Sequence, residues 1–156
     1  MAAAEPMPSG SAQFRGRYIN KLDAKKRVSI PAAFRAALAG QPLVLRRSNR
    51  LGCIEAWPAS LFEASITPIT PADVNLEEDD DSFYVNYADT VDATPDSEGR
   101  LIMDAKLLEH AGITDSIAFL GKNQIFELWE PSAADAMIEA ARARAQARAM
   151  TRRQGA

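Results

Sequence analysis

A chain of 156 residues, 47% of them hydrophobic, suffices for one compact unit or two very small ones around an apolar core. No run approaches the roughly 18 apolar residues of a membrane span, and one cysteine with one histidine excludes an internal disulfide and leaves a Cys/His zinc site short of ligands. The net charge of −3 hides a segregation: residues 14–50 hold ten bases and one acid, residues 51–139 nineteen acids and three bases, and residues 140–156 five arginines and no acid. A basic block of that density suits a polyanion partner; a solvated surface facing acidic counterpatches would show the same pattern.

Residues 1–13 are rich in Ala, Pro, Ser and Gly and lack the basic start and apolar run of a signal peptide. They are expected to form a disordered leader on a cytoplasmic protein. Residues 15–22 and 27–30 then read as two short strands joined by the turn Asp23 to Lys26, which the aspartate opens by bonding its own backbone. Pro31 starts a helix carrying Ala32, Ala33, Phe34, Ala37 and Leu38, and Gly40 ends it. Residues 42–46 and 52–57 form a strand pair across Ser48-Asn49, and Pro58 opens a helix to about Ile66.

Residues 67–82 contain the run Glu77-Glu78-Asp79-Asp80-Asp81, whose mutual repulsion favours an exposed linker or a frayed helix start. Phe83 to Tyr87 is apolar enough to pack back onto the body. The order then repeats: a strand to Met103, a helix from Asp104 to His110, strands at 116–120 and 124–129, and a helix after Pro131 reaching about Thr151.

The repetition is also literal. Asp23-Ala24-Lys25-Lys26-Arg27-Val28-Ser29-Ile30 matches Asp96-Ser97-Glu98-Gly99-Arg100-Leu101-Ile102-Met103, 73 residues on; Ile54-Glu55-Ala56-Trp57 matches Phe126-Glu127-Leu128-Trp129, 72 residues on. Two matches in one order predict a duplicated unit, with one residue gained in the first copy. Lys26 stands where the second copy has Gly99, so it is expected to carry the strain of a left-handed turn residue. The organisation expected is mixed α/β and β-rich: a leader (1–13), a first module (14–66), an acidic linker (67–82), a second module (83–139) and an Arg-rich C-terminal helix or tail (140–156). Cys53 is read as a buried small residue, His110 as a cation at a helix end, and Trp57 and Trp129 as core or interface anchors.

Phe14-Arg15-Gly16, then Leu22-Asp23-Ala24-Lys25-Lys26-Arg27-Val28-Ser29-Ile30-Pro31-Ala32, then Phe34-Arg35 resembles the opening of MraZ proteins, and the second Asp-x-x-Gly-Arg falls where that family has its second copy. The resemblance covers about residues 14–140. It implies two tandem AbrB-like β-α-β modules with swapped hairpins about a pseudo-two-fold. It further implies a ring-shaped homo-oligomer that binds double-stranded DNA at repeated short sites upstream of its own division and cell-wall operon, regulates transcription there in the nucleoid, and needs no cofactor. Three features depart from the family pattern: Lys26 for the motif glycine, Met103-Asp104 for an apolar-Pro pair, and the acidity of the linker.

On this reading Arg27 contacts bases, because its planar fork bonds guanine O6 and N7 together. Asp23 orients that fork, and Arg15, Arg17, Lys21, Lys25 and Lys26 neutralise phosphates. Arg100, amid Asp89, Asp92, Asp96 and Glu98, is expected to serve its turn or a subunit contact. No metal site is expected. Catalysis would require clustered acid/base groups or a phosphate loop, and the chain has neither. Two rival readings are an assembly protein whose basic block meets a neighbour's acidic block, and an antitoxin using its Arg-rich end on a toxin.

Overall fold

The computed structural model describes residues 13–66 and 76–155; residues 1–12 of the expected leader and 67–75 of the expected linker lie outside them. The first copy contributes β1 (Arg17–Lys21), β2 (Arg27–Ser29), α1 (Ala32–Leu38), β3 (Leu43–Arg47), β4 (Ile54–Pro58) and α2 (Ala59–Ala64). Next come α3 (Leu76–Phe83) and a π-helical turn (Tyr84–Ala88). The second copy contributes β5 (Val91–Ala93), β6 (Arg100–Ile102), α4 (Ala105–Ala111), β7 (Ser116–Lys122), β8 (Ile125–Trp129) and α5 (Pro131–Gln154). The fold is mixed α/β and strand-rich, as its alternating apolar runs predict. No helix among the described residues is long and apolar enough to cross a membrane.

Six strands form one antiparallel sheet in the order β1-β7-β8-β4-β3-β5, and β2 and β6 form a separate two-stranded ribbon. The strands flanking Asp23 to Lys26 are therefore not each other's partners, as the turn alone would suggest. The bridge Leu22–Val28, the Asp23 amide on the Arg27 carbonyl and the Asn20 side chain on the Ser29 carbonyl join them, while β1 runs along β7 from Arg17 opposite Leu120 to Lys21 opposite Ser116. Strand β2 is three residues long, too short to pair all of β1, whereas β7 supplies a partner for every β1 residue. In the same manner β5 pairs with β3 of the first copy. Each half thus lends its first strand to the other.

The register exposes the pseudo-two-fold. Val28 lies opposite Leu101 in the ribbon and Glu55 opposite Glu127 in the sheet, each facing its own repeat equivalent. The one-residue difference between the copies is a net of two changes. The first copy has one residue fewer between α1 and β3, and two more in its β3–β4 loop, which spans 48–53.

Period-2 alternation divides the sheet faces. Leu43, Leu45, Ile54, Ala56, Ile117, Phe119, Phe126 and Leu128 face the ribbon, α1 and α4 in one main core. Phe34 is its hub, its ring within 5.0–6.4 Å of the rings of Phe14, Tyr18, Phe119 and Phe126. The opposite face carries Cys53, Ala118, Leu120 and Trp129 beneath α5, and Trp57 against Phe62 of α2. Both tryptophans are anchors, as expected: Trp57 Nε1 donates to Glu55 at 3.1 Å and Trp129 Nε1 to Glu127 at 3.0 Å. Glu127 is only 3% exposed, so its indole and Lys122 partners offset the burial of a charge.

The helix ends show how local chemistry substitutes. Asp104, where the first copy has Pro31, accepts hydrogen bonds from the Lys106 and Leu107 amides and so caps α4 through its side chain. At the other end of α1 the left-handed residue is Ala39 (φ 51°), just before Gly40; Gly112 fills that place in α4. His110 does lie in the last turn of α4, but its Nε2 is buried without a hydrogen-bond partner.

Candidate nucleic-acid interface

The turn from Asp23 to Arg27 is built by one carboxylate. Asp23 Oδ1 accepts from the backbone amides of Lys25 (2.9 Å) and Arg27 (2.8 Å), and Oδ2 accepts from Arg27 Nε (2.8 Å). The Arg27 amide foremost, then its guanidinium and the Lys25 amide, hold the Asp23 carboxyl below its ordinary value. Because the carboxylate takes Nε, both terminal nitrogens of Arg27 are left for an external acceptor. Asp96 repeats the arrangement on Glu98 and Arg100 at 2.9–3.0 Å, and its carboxyl is lowered for the same reasons.

The two turns grip each other. The Lys26 carbonyl accepts from Met103 N (2.8 Å) and the Gly99 carbonyl from Ile30 N (2.9 Å). Both residues at the grip have positive φ, 62° for Lys26 and 76° for Gly99, so the strain expected at Lys26 is present.

In the ribbon Val28 and Leu101 point into the core. Arg27, Ser29, Arg100 and Ile102 therefore share the outward face, with Arg27 opposite Ile102 and Ser29 opposite Arg100. Ile102 is 73% exposed and the Arg27 side chain 29%.

The structure gathers Asp23, Lys25, Lys26 and Arg27 on one turn, with both lysines exposed. It does not bring Arg17 and Lys21 to that face. They alternate on β1 with Tyr18, whose ring packs on Phe34, and so point to the opposite side of the sheet, where Arg17 pairs with Asp135 of α5 at 3.3 Å. Arg15 donates to Gln13 and is exposed. The basic block is also partly consumed internally: Arg46 pairs with Glu55 and lies over Trp57, Arg47 pairs with Asp89, and Arg35 reaches the Glu98 carbonyl.

Sequence reasoning missed that Arg100 shares the ribbon face of Arg27. It has the same bonds to its own aspartate; the difference is Glu98, 3.6 Å from its guanidinium. Ser29 and Ile102 were missed too. The repeat itself carried the signal, since equivalent strands paired about a two-fold must present equivalent faces.

The geometry can be set beside known proteins. A family model described as "MraZ protein, putative antitoxin-like" matches residues 13–81 and again 87–154. A protein of Gluconacetobacter diazotrophicus named Transcriptional regulator MraZ is 46% identical over 151 residues, covering 91% of this chain and 96% of the relative. One of the same name from Gluconobacter oxydans is 41% identical over 148 residues, covering 91% and 90%. Another from Rickettsia bellii is 38% identical over 122 residues, covering 76% and 81%. With both copies of the repeat matched and nearly the whole chain aligned, this protein belongs to the MraZ family.

Proposed function

We propose that this chain is a sequence-specific DNA-binding transcriptional regulator that places the β2–β6 ribbon in the major groove. A two-stranded ribbon fits that groove. The observation that carries the reading is the Asp23–Arg27 bond through Nε, which fixes the guanidinium while sparing the two nitrogens a guanine edge requires. Lys25 and Lys26 flank it as phosphate contacts, with Arg15 as a more distant cation. The names of the relatives support transcription as the process acted on.

The resemblance of the opening motif extends the proposal. The operator is a set of short repeats upstream of the chain's own division and cell-wall operon, the working form is a ring of identical copies in the nucleoid, and no catalytic step or cofactor is involved. Repetition raises the effective concentration of each weak contact.

The test is binding to the gene's own upstream duplex and to a shuffled duplex over a salt series, for the native chain and Arg27→Ala. The native chain is expected to prefer its own duplex. Arg27→Ala should lose about 1–3 kcal/mol of that preference, the worth of one bidentate base contact. Absence of binding to either duplex at low salt would overturn the proposal.

A further inference from the structure

Helix α5 outruns the sheet it lies on. Its first residue, Pro131, borders a depression shared with Thr114, Asp115 and Ser116 at the beginning of β7. Ala134, Met137 and Ile138 then hold it on Ala118, Leu120 and Trp129. Ala141 and Arg142 stand beside Gly121 and Lys122, where β7 ends. From there to Gln154 the helix continues alone for roughly 18 Å, at 1.5 Å per residue. Every residue from Glu139 to Gln154 is exposed except the half-buried Ala149.

The helix face that packs on the sheet persists past its end and changes chemistry. At roughly 100° per residue, Arg144, Arg148 and Arg152 fall within about 80° of arc, on the side that Ala134 and Met137 present to the sheet. Arg144 Nη2 lies 4.0 Å from Met137 Sδ, where the apolar row hands over to the cationic one. Residues 140–154 contain no acid, and among the described residues no ion pair includes an arginine of this stretch. Like charges four residues apart oppose a helix. The helix dipole favours only Arg152 and Arg153, in the last turn. The row thus carries a repulsion that this chain's own groups do not offset, and a polyanion would. A lipid surface fits poorly, because Met150 is the one large apolar residue after Ile138.

The row is remote from the ribbon. Helix α5 packs on the sheet face opposite the one facing the ribbon. The Asp23 turn sits at the start of β7, where Leu22 N donates to the Asp115 carbonyl at 2.9 Å, whereas the arginines begin beyond the other end of β7. A duplex seated on the ribbon leaves them uncovered. We propose that Arg144, Arg148 and Arg152 form a second contact for duplex DNA, laid along its phosphate backbone without reading bases. Their guanidiniums rise about 6 Å apart along the axis, and Ala143, Ala145 and Ala147 between them let the helix approach closely. The proposal rests on the ribbon reading for its other half: with one duplex on the ribbon and another on α5, the protein bridges two segments of DNA.

The experiment uses the full chain and a variant carrying Arg144→Gln, Arg148→Gln and Arg152→Gln, since glutamine keeps the helix propensity and removes the charge. The gene's own upstream duplex is fixed to beads, and a fluorescent shuffled duplex is offered in solution. The native chain is expected to retain the shuffled duplex on the beads. The variant should still prefer the upstream duplex but retain the shuffled one only at background. Its log–log salt slope on the shuffled duplex should fall by roughly 2–3, at about 0.9 per phosphate. Circular dichroism and light scattering compare the fold and assembly of the two proteins. A folded variant that bridges as well as the native chain would overturn the α5 contact and leave the ribbon reading standing. A variant that loses its assembly would overturn it too, assigning the arginines to a neighbouring copy. A native chain with no preference for its own duplex, whose binding to the shuffled one still depends on the three arginines, would overturn the ribbon reading and support the α5 contact.

Discussion

Lys26→Gly tests how the ribbon turn is held. Lys26 adopts φ 62°, and its carbonyl is fixed by the Met103 amide at 2.8 Å, so the turn cannot relax to a commoner conformation. An L-residue in the left-handed region costs roughly 1–2 kcal/mol. Glycine removes that strain but gives the unfolded chain more freedom, an offset of roughly 0.4–1 kcal/mol. The net gain is about 0.5–1 kcal/mol, which in a chain of this size raises Tm by roughly 2 °C. Thermal unfolding must be compared at equal protein concentration, since assembly shifts Tm. The converse change, Gly99→Ala, should lower Tm. It adds the same left-handed strain and places a Cβ 2.3 Å from Arg35 Cδ, so the arginine must leave the Glu98 carbonyl. A salt titration on DNA separates stability from charge: losing Lys26 should reduce the log–log slope by about 0.9 if it neutralises one phosphate. An unchanged or lowered Tm for Lys26→Gly would refute the strain argument.

Three further outcomes follow from buried and titrating groups. Asp23 and Asp96 have lowered carboxyl values, so their stabilisation is complete above the ordinary 3.8 and disappears as pH falls through the lower folded values. The stability gap between the native chain and the Asp23→Asn, Asp96→Asn variant should accordingly narrow on acidification from pH 6 to 2; a constant gap in denaturant titrations would contradict this. Trp129→Phe deprives the buried Glu127 of its indole donor and should cost about 1–3 kcal/mol in unfolding free energy, with loss of less than half a kcal/mol counting against the bond. Cys53 is fully buried and its thiol is pushed far up, first by burial and then by the Glu127 and Glu55 charges. A thiol reagent should therefore label it only after unfolding, and rapid native labelling would show that the site opens.

The elements were largely legible because each has a local cause. Pro131 at the first turn of α5, the Asp104 cap and the alternation in β4 act within a few residues of themselves. The exchange of β1 and β5 was not legible in the residue pattern itself; only the family resemblance implied swapped hairpins. Alternation tells which side chains share a face and says nothing about which strand lies alongside. The copy offset misled for a related reason, since a deletion before β3 and an insertion after it nearly cancel in the count. At the candidate site, Asp23 and Arg27 were readable as a pair four residues apart. Arg17, Arg46 and Arg47 were counted as surface charge, whereas their acidic partners come from α5, β4 and the stretch before β5. Charge counting along a chain cannot see partners brought in by tertiary structure.

The exchange of first strands also governs how the chain can be made. Strand β1 finds its partner in Ser116–Leu120, about a hundred residues later. At a synthesis rate of roughly 5–20 residues per second, it waits on the order of 5–20 s before that partner exists. Pairing so distant in sequence also slows folding through the entropy of loop closure. Throughout the delay β1 is an unpaired edge bearing Tyr18 and Ile19, with Arg17 and Lys21 as its charges, the kind of residue that disfavours edge-to-edge pairing. β1 is still an edge strand in the finished sheet, so charges that suit an exposed edge during synthesis suit it afterwards as well.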